Sequence, residues 1–133
     1  MKLAEVKDLK VHTDNRGWLA EIFRPQDTNN TMKGQVTITT AHPGIVKANH
    51  YHKRKHELYC VIKGEMKLVL KDMNTGKSEE HLLTEDKLQI VMIPPNVAHG
   101  FKNTGNEMMH LLMYIDEPFD SNDPDIFPET VIS

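Results

Sequence analysis

The stretch from Gly44 to Gly64, GIVKANHYHKRKHELYCVIKG, says more about the fold than any other part of the chain. A glycine stands at each end, and His50 and His52 are separated by one residue. Because residues i and i+2 of a strand point to the same face, roughly 7 Å apart, the two imidazoles can converge on one point. The segment HELYCVIK alternates in the same way, and we expect Glu57 to face that point from a paired strand.

A second stretch, IPPNVAHGFKN, contributes His99 after a Pro-Pro break. Three imidazoles and one carboxylate form a ligand set suited to a divalent first-row metal. We therefore predict that His50, His52, Glu57 and His99 bind one ion. Zinc is the expected ion, with iron, manganese and nickel as alternatives. The competing interpretation is that these are surface histidines beside the solvated, lysine-rich loop KRKH.

Short apolar segments separated by Gly, Asn and Pro residues continue along the whole chain, and none keeps the 3.6-residue period of a helix. The Asn74-Thr75-Gly76 sequence is typical of a hairpin turn. Many short strands at close spacing favour an all-β barrel or sandwich. The strand candidates are residues 3–12, Trp18–Phe23, Gln35–Ala41, Glu65–Asp72, Leu88–Ile93 and Met108–Ile115.

Length, charge and cysteine content exclude several classes of protein. The chain has 133 residues, enough for one self-sufficient core, and a net charge of −3, which gives no reason to expect nucleic acid as a partner. A single cysteine, Cys60, rules out an internal disulfide and favours a reducing compartment. No apolar run is long enough to span a membrane, and the start MKLAEVKDLK is not typical of a signal peptide. We therefore expect a cytoplasmic protein that binds neither membrane nor nucleic acid.

The acidic tail, residues 116–133, differs from the rest of the chain. It contains no Lys or Arg, and its acids alternate with prolines and with Phe119, Ile126 and Phe127. A disordered tail would carry fewer large apolar residues. We expect this segment to lie across the barrel or across a partner subunit.

The two histidine-containing stretches resemble the two motifs of the cupin family. Residues 44–64 fill the first motif, and residues 86–103 resemble the second, with Asn96 where an internal glycine usually stands. The resemblance implies a cupin jelly-roll barrel and one domain over residues 1–133. The matching positions are Gly44, His50, His52, Glu57 and Gly64 in the first motif, and Pro94, His99 and Asn103 in the second.

Three groups of sugar-modifying cupins share more of the sequence. DNRGWLAEIFR, residues 14–24, and IPPNVAHGF resemble segments of dTDP-4-dehydrorhamnose 3,5-epimerases. From NHYH onward the chain is similar to the cupin domain of bifunctional capsular-polysaccharide biosynthetic proteins, which pair it with a reductase. The 3,4-ketoisomerases of dTDP-sugar pathways are a third relative. The resemblance implies an epimerase or ketoisomerase of a 4-keto-6-deoxy nucleotide-diphosphate sugar, dTDP- or UDP-linked, in surface-polysaccharide biosynthesis.

The same resemblance implies catalytic roles. Epimerisation beside a ketone begins with removal of an α proton by a base poised near neutral pH, and the resemblance assigns that base to His50. The proton must then return to carbon, and Tyr59 and Tyr114 are the available phenols. The acid tyrosine of the epimerases falls near Phe119, which has no hydroxyl. If His50 is a metal ligand, it cannot also be the free base, so a metal-free epimerase and a metal-dependent enzyme are both open.

Substrate binding and assembly also follow from the resemblance. It assigns nucleotide binding to Arg16, Leu19 and Glu21, presented across a dimer interface. Lys47, with Arg16 or Arg24, would bind the two phosphates. We therefore expect a homodimer, with a reductase of the same pathway as a further partner.

Two other functions remain compatible with the ligand set. One is a metal-binding cupin that holds a sugar or small acid without turnover. The other is a metal-dependent dioxygenase or isomerase of an unrelated small molecule.

Overall fold

A computed structural model describes residues 3–15, 17–20, 22–23 and 33–133, without the side chains of residues 17–20. Over these ranges the chain forms strands and no helix, so the predicted all-β class is confirmed. No helix among the described residues is long and apolar enough to cross a bilayer. The strands are β1 (Glu5–Asp8), β2 (Val11–Asp14), β3 (Gly17–Ala20), β4 (Gln35–Ala41), β5 (Val46–Tyr51), β6 (Glu57–Lys63), β7 (Glu65–Asp72), β8 (Ser78–Thr84), β9 (Gln89–Ile93), β10 (Val97–Lys102), β11 (Met109–Ile115) and β12 (Phe127–Pro128).

The strands form two five-stranded antiparallel sheets and one hairpin. The first sheet has the order β1-β9-β6-β11-β4, the second has the order β12-β5-β10-β7-β8, and β2 pairs with β3. Apolar side chains of both sheets, including Tyr59 and Leu111 from the first and Leu68 and Phe101 from the second, share one buried core. Burial of each such side chain stabilises the fold by about 1.5 to 3 kcal/mol. This arrangement is the predicted jelly roll.

Strand β6 is buried on both of its faces. Glu57, Tyr59 and Val61 point between the two sheets, while Leu58 and Cys60 belong to a second apolar cluster on the outer face of the first sheet. Because both faces are covered, the strand reads as a nearly continuous apolar run.

One topological expectation is wrong. Glu57 does not face the histidines from a strand paired with β5, because β5 pairs with β10 and β12 while β6 pairs with β9 and β11. Glu57 instead approaches the histidines from the opposite sheet, across the interior of the barrel.

A bulge bends β5 just before the first histidine. Ala48 and Asn49 have φ angles of 70° and 58°, and the register with β10 shifts between His99 and Gly100. Left-handed backbone at a residue other than glycine costs about 1 to 3 kcal/mol, so surrounding contacts must hold it. The Asn49 side chain supplies such contacts, because its Oδ1 accepts hydrogen bonds from the N–H groups of Val131 and Ile132, at 2.9 and 3.2 Å.

The acidic tail lies along β5. Phe127 and Pro128 form β12 and pair with Tyr51 and His50. The Phe127 ring stacks on Tyr51 at a centroid separation of 5.4 Å, and the Nζ of Lys53 lies 4.3 Å from the Phe127 ring centroid. The tail therefore runs beside the strand that carries the first histidine.

Candidate active site

Three histidines and one glutamate meet between the two sheets. One potential ligand atom from each of His50, His52, Glu57 and His99 lies within 4.8 Å of the others. The Oε1 atom of Glu57 is the common partner: it hydrogen-bonds His52 Nε2, lies 3.0 Å from His99 Nε2 and lies 3.9 Å from His50 Nε2. The Nε2 atoms of all three rings thus face one oxygen.

Backbone carbonyls determine which ring nitrogens carry protons. His52 Nδ1 lies 2.6 Å from the Asp125 carbonyl oxygen, and His99 Nδ1 lies 3.0 Å from the Val97 carbonyl oxygen. A carbonyl oxygen only accepts, so each Nδ1 donates. In the neutral rings both Nε2 lone pairs then point at the Glu57 carboxylate, which is also an acceptor. Converging acceptors require a cation between them, either a proton or a metal ion, and this donor set fits a divalent metal.

The pKa values reflect this crowding. Burial alone would raise the pKa of Glu57, but hydrogen bonds from His52 and His99 hold it well below its usual range. Burial alone would lower the pKa of His52, but the bond to Glu57 outweighs it, so the pKa is raised. Burial and the neighbouring His99 lower the pKa of His50 to about 4. His50 is therefore neutral near pH 7, the form required of either a ligand or a base.

Asp125 joins the tail to the site and was not predicted from the sequence. Its carboxylate accepts backbone N–H groups of Lys53, Arg54 and Lys55 at 2.9 to 3.1 Å, and its carbonyl orients His52. Burial would raise the pKa of Asp125, but the three backbone donors lower it. The available signal was only the alternation of acids with apolar residues in the tail.

Replacing Asp125 with alanine should lower the free energy of unfolding by about 1.5 to 3 kcal/mol, because a charged acceptor of three backbone donors is lost. Its folded pKa lies below the ordinary 3.8, so this stabilisation is present above that value and is lost as the pH falls through the lowered pKa. Urea denaturation of Asp125→Ala measures the effect. Asp120→Ala, which removes one exposed hydrogen bond to Asn122, is the matched control and should change stability by about 0.5 kcal/mol or less. Equal stability of the two variants would contradict the role of Asp125.

A cavity of about 310 Å³ opens beside the cluster. Its walls come from β4, β5, β6, β10 and β11, and Phe119 and Ile126 of the tail border it. Lys47 and Lys55 also line it. The cavity is therefore bordered by the histidine cluster, by two lysines and by a largely apolar wall.

The two predicted phenols lie on opposite faces of the first sheet. Tyr59 lines the cavity, and burial together with the Glu57 carboxylate raises its pKa, so it stays a neutral phenol. Tyr114 belongs to the outer apolar cluster, packs against Phe23 at 5.2 Å, and accepts a hydrogen bond from Gly34 N–H. The prediction that Tyr114 belongs to the site is therefore wrong, because alternation on β11 turns its side chain away from the barrel interior.

The predicted nucleotide-binding residues are placed only in part. Lys47 lies at the exposed side of the cavity and donates hydrogen bonds to the Thr39 hydroxyl and the Thr40 carbonyl, at 3.1 and 2.7 Å. The other predictions stay untested: Arg16, Glu21 and Arg24 lie outside the described residues, and Leu19 is placed in β3 without a description of its side chain.

Comparison with known proteins gives consistent results. A family model described as "Polysaccharide biosynthesis C-terminal domain" matches residues 12–127. The chain is 30% identical over 128 residues to a "Probable low-salt glycan biosynthesis epimerase" of Haloferax volcanii, a match that covers 91% of this chain and 82% of that protein. It is 32% identical over 120 residues to the UDP-2-acetamido-2,6-beta-L-arabino-hexul-4-ose reductase of Pseudomonas aeruginosa. That match covers 90% of this chain but only 31% of the reductase.

The fold is also found in a solved sugar epimerase. The structure of dTDP-4-dehydrorhamnose 3,5-epimerase from Sulfolobus tokodaii matches with a TM-score of 0.79 at 26% identity, over 91% of this chain and 74% of that chain. The resemblance to sugar epimerases, drawn above from short motifs, is confirmed.

Proposed function

The chain belongs to the polysaccharide biosynthesis C-terminal domain family, and on that premise we propose that it is an epimerase or ketoisomerase in surface-polysaccharide biosynthesis. Its proposed substrate is a 4-keto-6-deoxy nucleotide-diphosphate sugar, dTDP- or UDP-linked. The observation that carries the proposal is the cavity next to a neutral, half-buried His50, in a fold shared with a sugar epimerase. We place the reaction in the cytoplasm, as expected from the single, buried Cys60.

A divalent metal is part of the proposal. His50, His52, Glu57 and His99 would hold it, and zinc is expected ahead of iron, manganese or nickel. The ion, when bound, supplies Lewis-acid polarisation of a ketone oxygen. The support for it is the set of Nε2 lone pairs that face the Glu57 carboxylate.

The chain's own side chains supply the proton chemistry. His50 is the most exposed of the four candidate ligands and borders the cavity, so it is the base in a metal-free mechanism. Tyr59 stays protonated at neutral pH and is the phenol available to return a proton to carbon. At the outer side of the cavity, Lys47 has the charge and exposure to bind a solvated diphosphate, with Arg16 or Arg24 as its proposed partner.

Hydrogen exchange tests the proposed reaction directly. The protein is mixed in D₂O with dTDP-4-keto-6-deoxyglucose or with the UDP-linked 2-acetamido-4-keto sugar, and deuterium at C3 and C5 is followed by NMR. An epimerase or ketoisomerase incorporates deuterium at the carbon that it deprotonates. Absence of exchange with every such sugar would contradict the proposal.

A binding function without turnover is the second candidate, and Phe119 favours it. This side chain borders the cavity. By the resemblance described under Sequence analysis, the acid tyrosine of the epimerases falls near it, and phenylalanine has no hydroxyl to donate. A protein that binds dTDP or UDP without catalysing exchange would support this candidate. A protein that contains iron and has no affinity for either nucleotide would instead favour a dioxygenase or isomerase of another small molecule.

We further propose a homodimer, with a reductase of the same pathway as a partner. The support for a dimer is the outer edge of the first sheet, where Val36 and Ile38 of β4 are each 59% exposed. The support for a reductase is the Pseudomonas aeruginosa relative, of which this chain spans 31%.

Light scattering at micromolar concentration should give about twice the monomer mass of 15.3 kDa. A charge at Ile38, as in Ile38→Lys, should shift the protein toward the monomer, because a buried, unpaired charge is costly at an interface. Thr75→Lys, in the exposed β7–β8 turn, is the control and should leave the mass unchanged. A wild-type protein that is monomeric at this concentration would contradict the dimer.

A further inference from the structure

Lys55 differs from its neighbours in the loop between β5 and β6. Lys53, Arg54 and His56 are exposed, whereas Lys55 is only 3% exposed. It is the one lysine among the described residues that is buried. Lysine is almost never fully buried unless its charge is paired. The position of this ammonium group therefore needs an explanation.

No described residue neutralises that charge. Within the described ranges, no carboxylate oxygen lies within 4.0 Å of Lys55 Nζ, and Nζ donates no hydrogen bond. Glu57, two residues along the chain, has its Oε1 directed at histidine nitrogens instead. The Lys55 side chain lines the same cavity as His50 and Tyr59. A buried cation that lines a cavity and has no anionic partner among the described residues is suited to an anionic or partly anionic ligand atom.

The backbone on both sides of this side chain is held in place. Lys55 N–H donates to Asp125 Oδ2 at 3.1 Å. The next residue, His56, donates its N–H to Asp116 Oδ1 at 3.0 Å, and its carbonyl accepts the Asp116 N–H at 3.1 Å. A cation fixed before the reaction stabilises developing charge without reorganisation during the reaction.

Lys55 is more deeply buried than Lys47, the other lysine that lines the cavity. Lys47 is exposed, and its Nζ donates hydrogen bonds to the Thr39 hydroxyl and the Thr40 carbonyl. Its exposure suits a residue that contacts a solvated diphosphate. Lys55 is buried beside the histidine cluster, where the reacting sugar would lie. The two lysines therefore suit opposite ends of one nucleotide sugar.

We propose that Lys55 is a catalytic residue that stabilises the enolate oxygen of the sugar; this inference rests on the function proposed above. A C–H bond beside the ketone breaks, the proton goes to the base, and the C–H electron pair forms a C=C bond. The carbonyl π pair moves to oxygen, and the Lys55 ammonium donates a hydrogen bond to that oxyanion. Return of a proton to the same carbon from the opposite face restores the ketone with inverted configuration, without net oxidation. In a ketoisomerase the same enolate is reprotonated after a proton moves between oxygens.

The test compares Lys55→Met with Lys53→Met in the full chain. Methionine retains most of the side-chain volume and removes the charge. Lys53 lies on the same loop but is exposed and packs over Phe127 outside the cavity, so its variant is the matched control. Three quantities are measured for each protein: kcat for deuterium exchange from D₂O with a 4-keto nucleotide sugar, the Kd for dTDP and UDP, and the metal content.

We expect Lys55→Met to lower kcat by about 100- to 1,000-fold, the usual loss when one donor to an oxyanion is removed, with nucleotide Kd and metal content unchanged. Lys53→Met should behave as the wild type. If Lys55→Met folds poorly, Lys55→Gln provides the same loss of charge with a polar side chain and the same expected fall in kcat.

Two results would overturn the inference. One is a kcat for deuterium exchange within about threefold of the wild type in folded Lys55→Met or Lys55→Gln. The other is weaker dTDP or UDP binding at unchanged kcat, which would assign Lys55 to the phosphates. If the wild type and the variants all fail to catalyse exchange, the proposed function is contradicted, and the role proposed for Lys55 is contradicted with it.

Discussion

Replacement of His99 by alanine is expected to abolish metal binding at the proposed site and to end proton exchange in the same variant. His99 is fully buried, its Nδ1 is held by the Val97 carbonyl, and its Nε2 points to Glu57 Oε1. No other described histidine or carboxylate belongs to this cluster to replace it. Loss of one of four ligands should reduce the metal content of the purified protein to near zero, and exchange should fall by at least about 100-fold.

The comparison with His50→Ala separates the two mechanisms. Both variants should lose metal and activity if the enzyme depends on the ion. Retention of exchange by His99→Ala, with its loss in His50→Ala, would instead support the metal-free epimerase with His50 as base. His42→Ala is the control, because His42 is exposed in the turn before β5 and should affect neither quantity.

Zinc added at the proposed metal site is expected to stabilise the protein more at pH 8 than at pH 6. Zinc that binds only the folded chain adds about 4 kcal/mol when its free concentration is about 1,000 times Kd. The ion competes with protons for the same nitrogens, so its affinity rises with pH. Each proton that it displaces adds about 1.4 kcal/mol per pH unit.

The folding stability of the metal-free protein should instead fall as the pH rises. The folded pKa of His52 is raised above 6.5, chiefly because its bond to the Glu57 carboxylate outweighs burial; Asp125 adds to the effect, and its other neighbours are His50 and His99. The resulting stabilisation is fully present below pH 6.5 and is lost as the pH rises through the raised pKa.

Thermal unfolding of EDTA-treated and zinc-supplemented protein at pH 6, 7 and 8 measures the difference. His52→Ala should remove both the zinc effect and its pH dependence. A zinc-induced shift in Tm that is the same at all three values of pH would contradict the proposed competition between the ion and the protons.

Local sequence patterns were sufficient to predict several strands and one turn of the fold. The predicted strand Gln35–Ala41 is β4, Glu65–Asp72 is β7, and the Asn74-Thr75-Gly76 turn connects β7 to β8, with Gly76 at a φ of 78°. These features depend on alternation and turn chemistry within a few residues, which sequence displays directly. Asn96 has a φ of 64°, which explains why asparagine can stand where the cupin motif has glycine.

Period-two alternation states which side chains share a face, but not which face turns inward or which sheet a strand joins. Alternation predicted that Tyr59 shares a strand face with Glu57, but it could not show which face of β11 turns inward. Tyr114 therefore stayed a candidate acid, and packing of the two sheets placed only Tyr59 in the cavity. The same limit led to the wrong pairing for Glu57, which reaches the histidines from the opposite sheet.

Motif spacing and strand alternation were enough to predict the strand-rich fold and the grouping of His50, His52, Glu57 and His99, because both are short-range properties of the chain. Tertiary packing was needed to show that Asp125 holds the loop from Lys53 to Lys55 and that Lys55 is buried while its neighbours face solvent. These contacts join residues about 70 positions apart in the chain. They form only when the tail packs beside β5. The large apolar residues of the tail predicted that it lies across the barrel or a partner subunit, but no local pattern indicated which strand it would pair with.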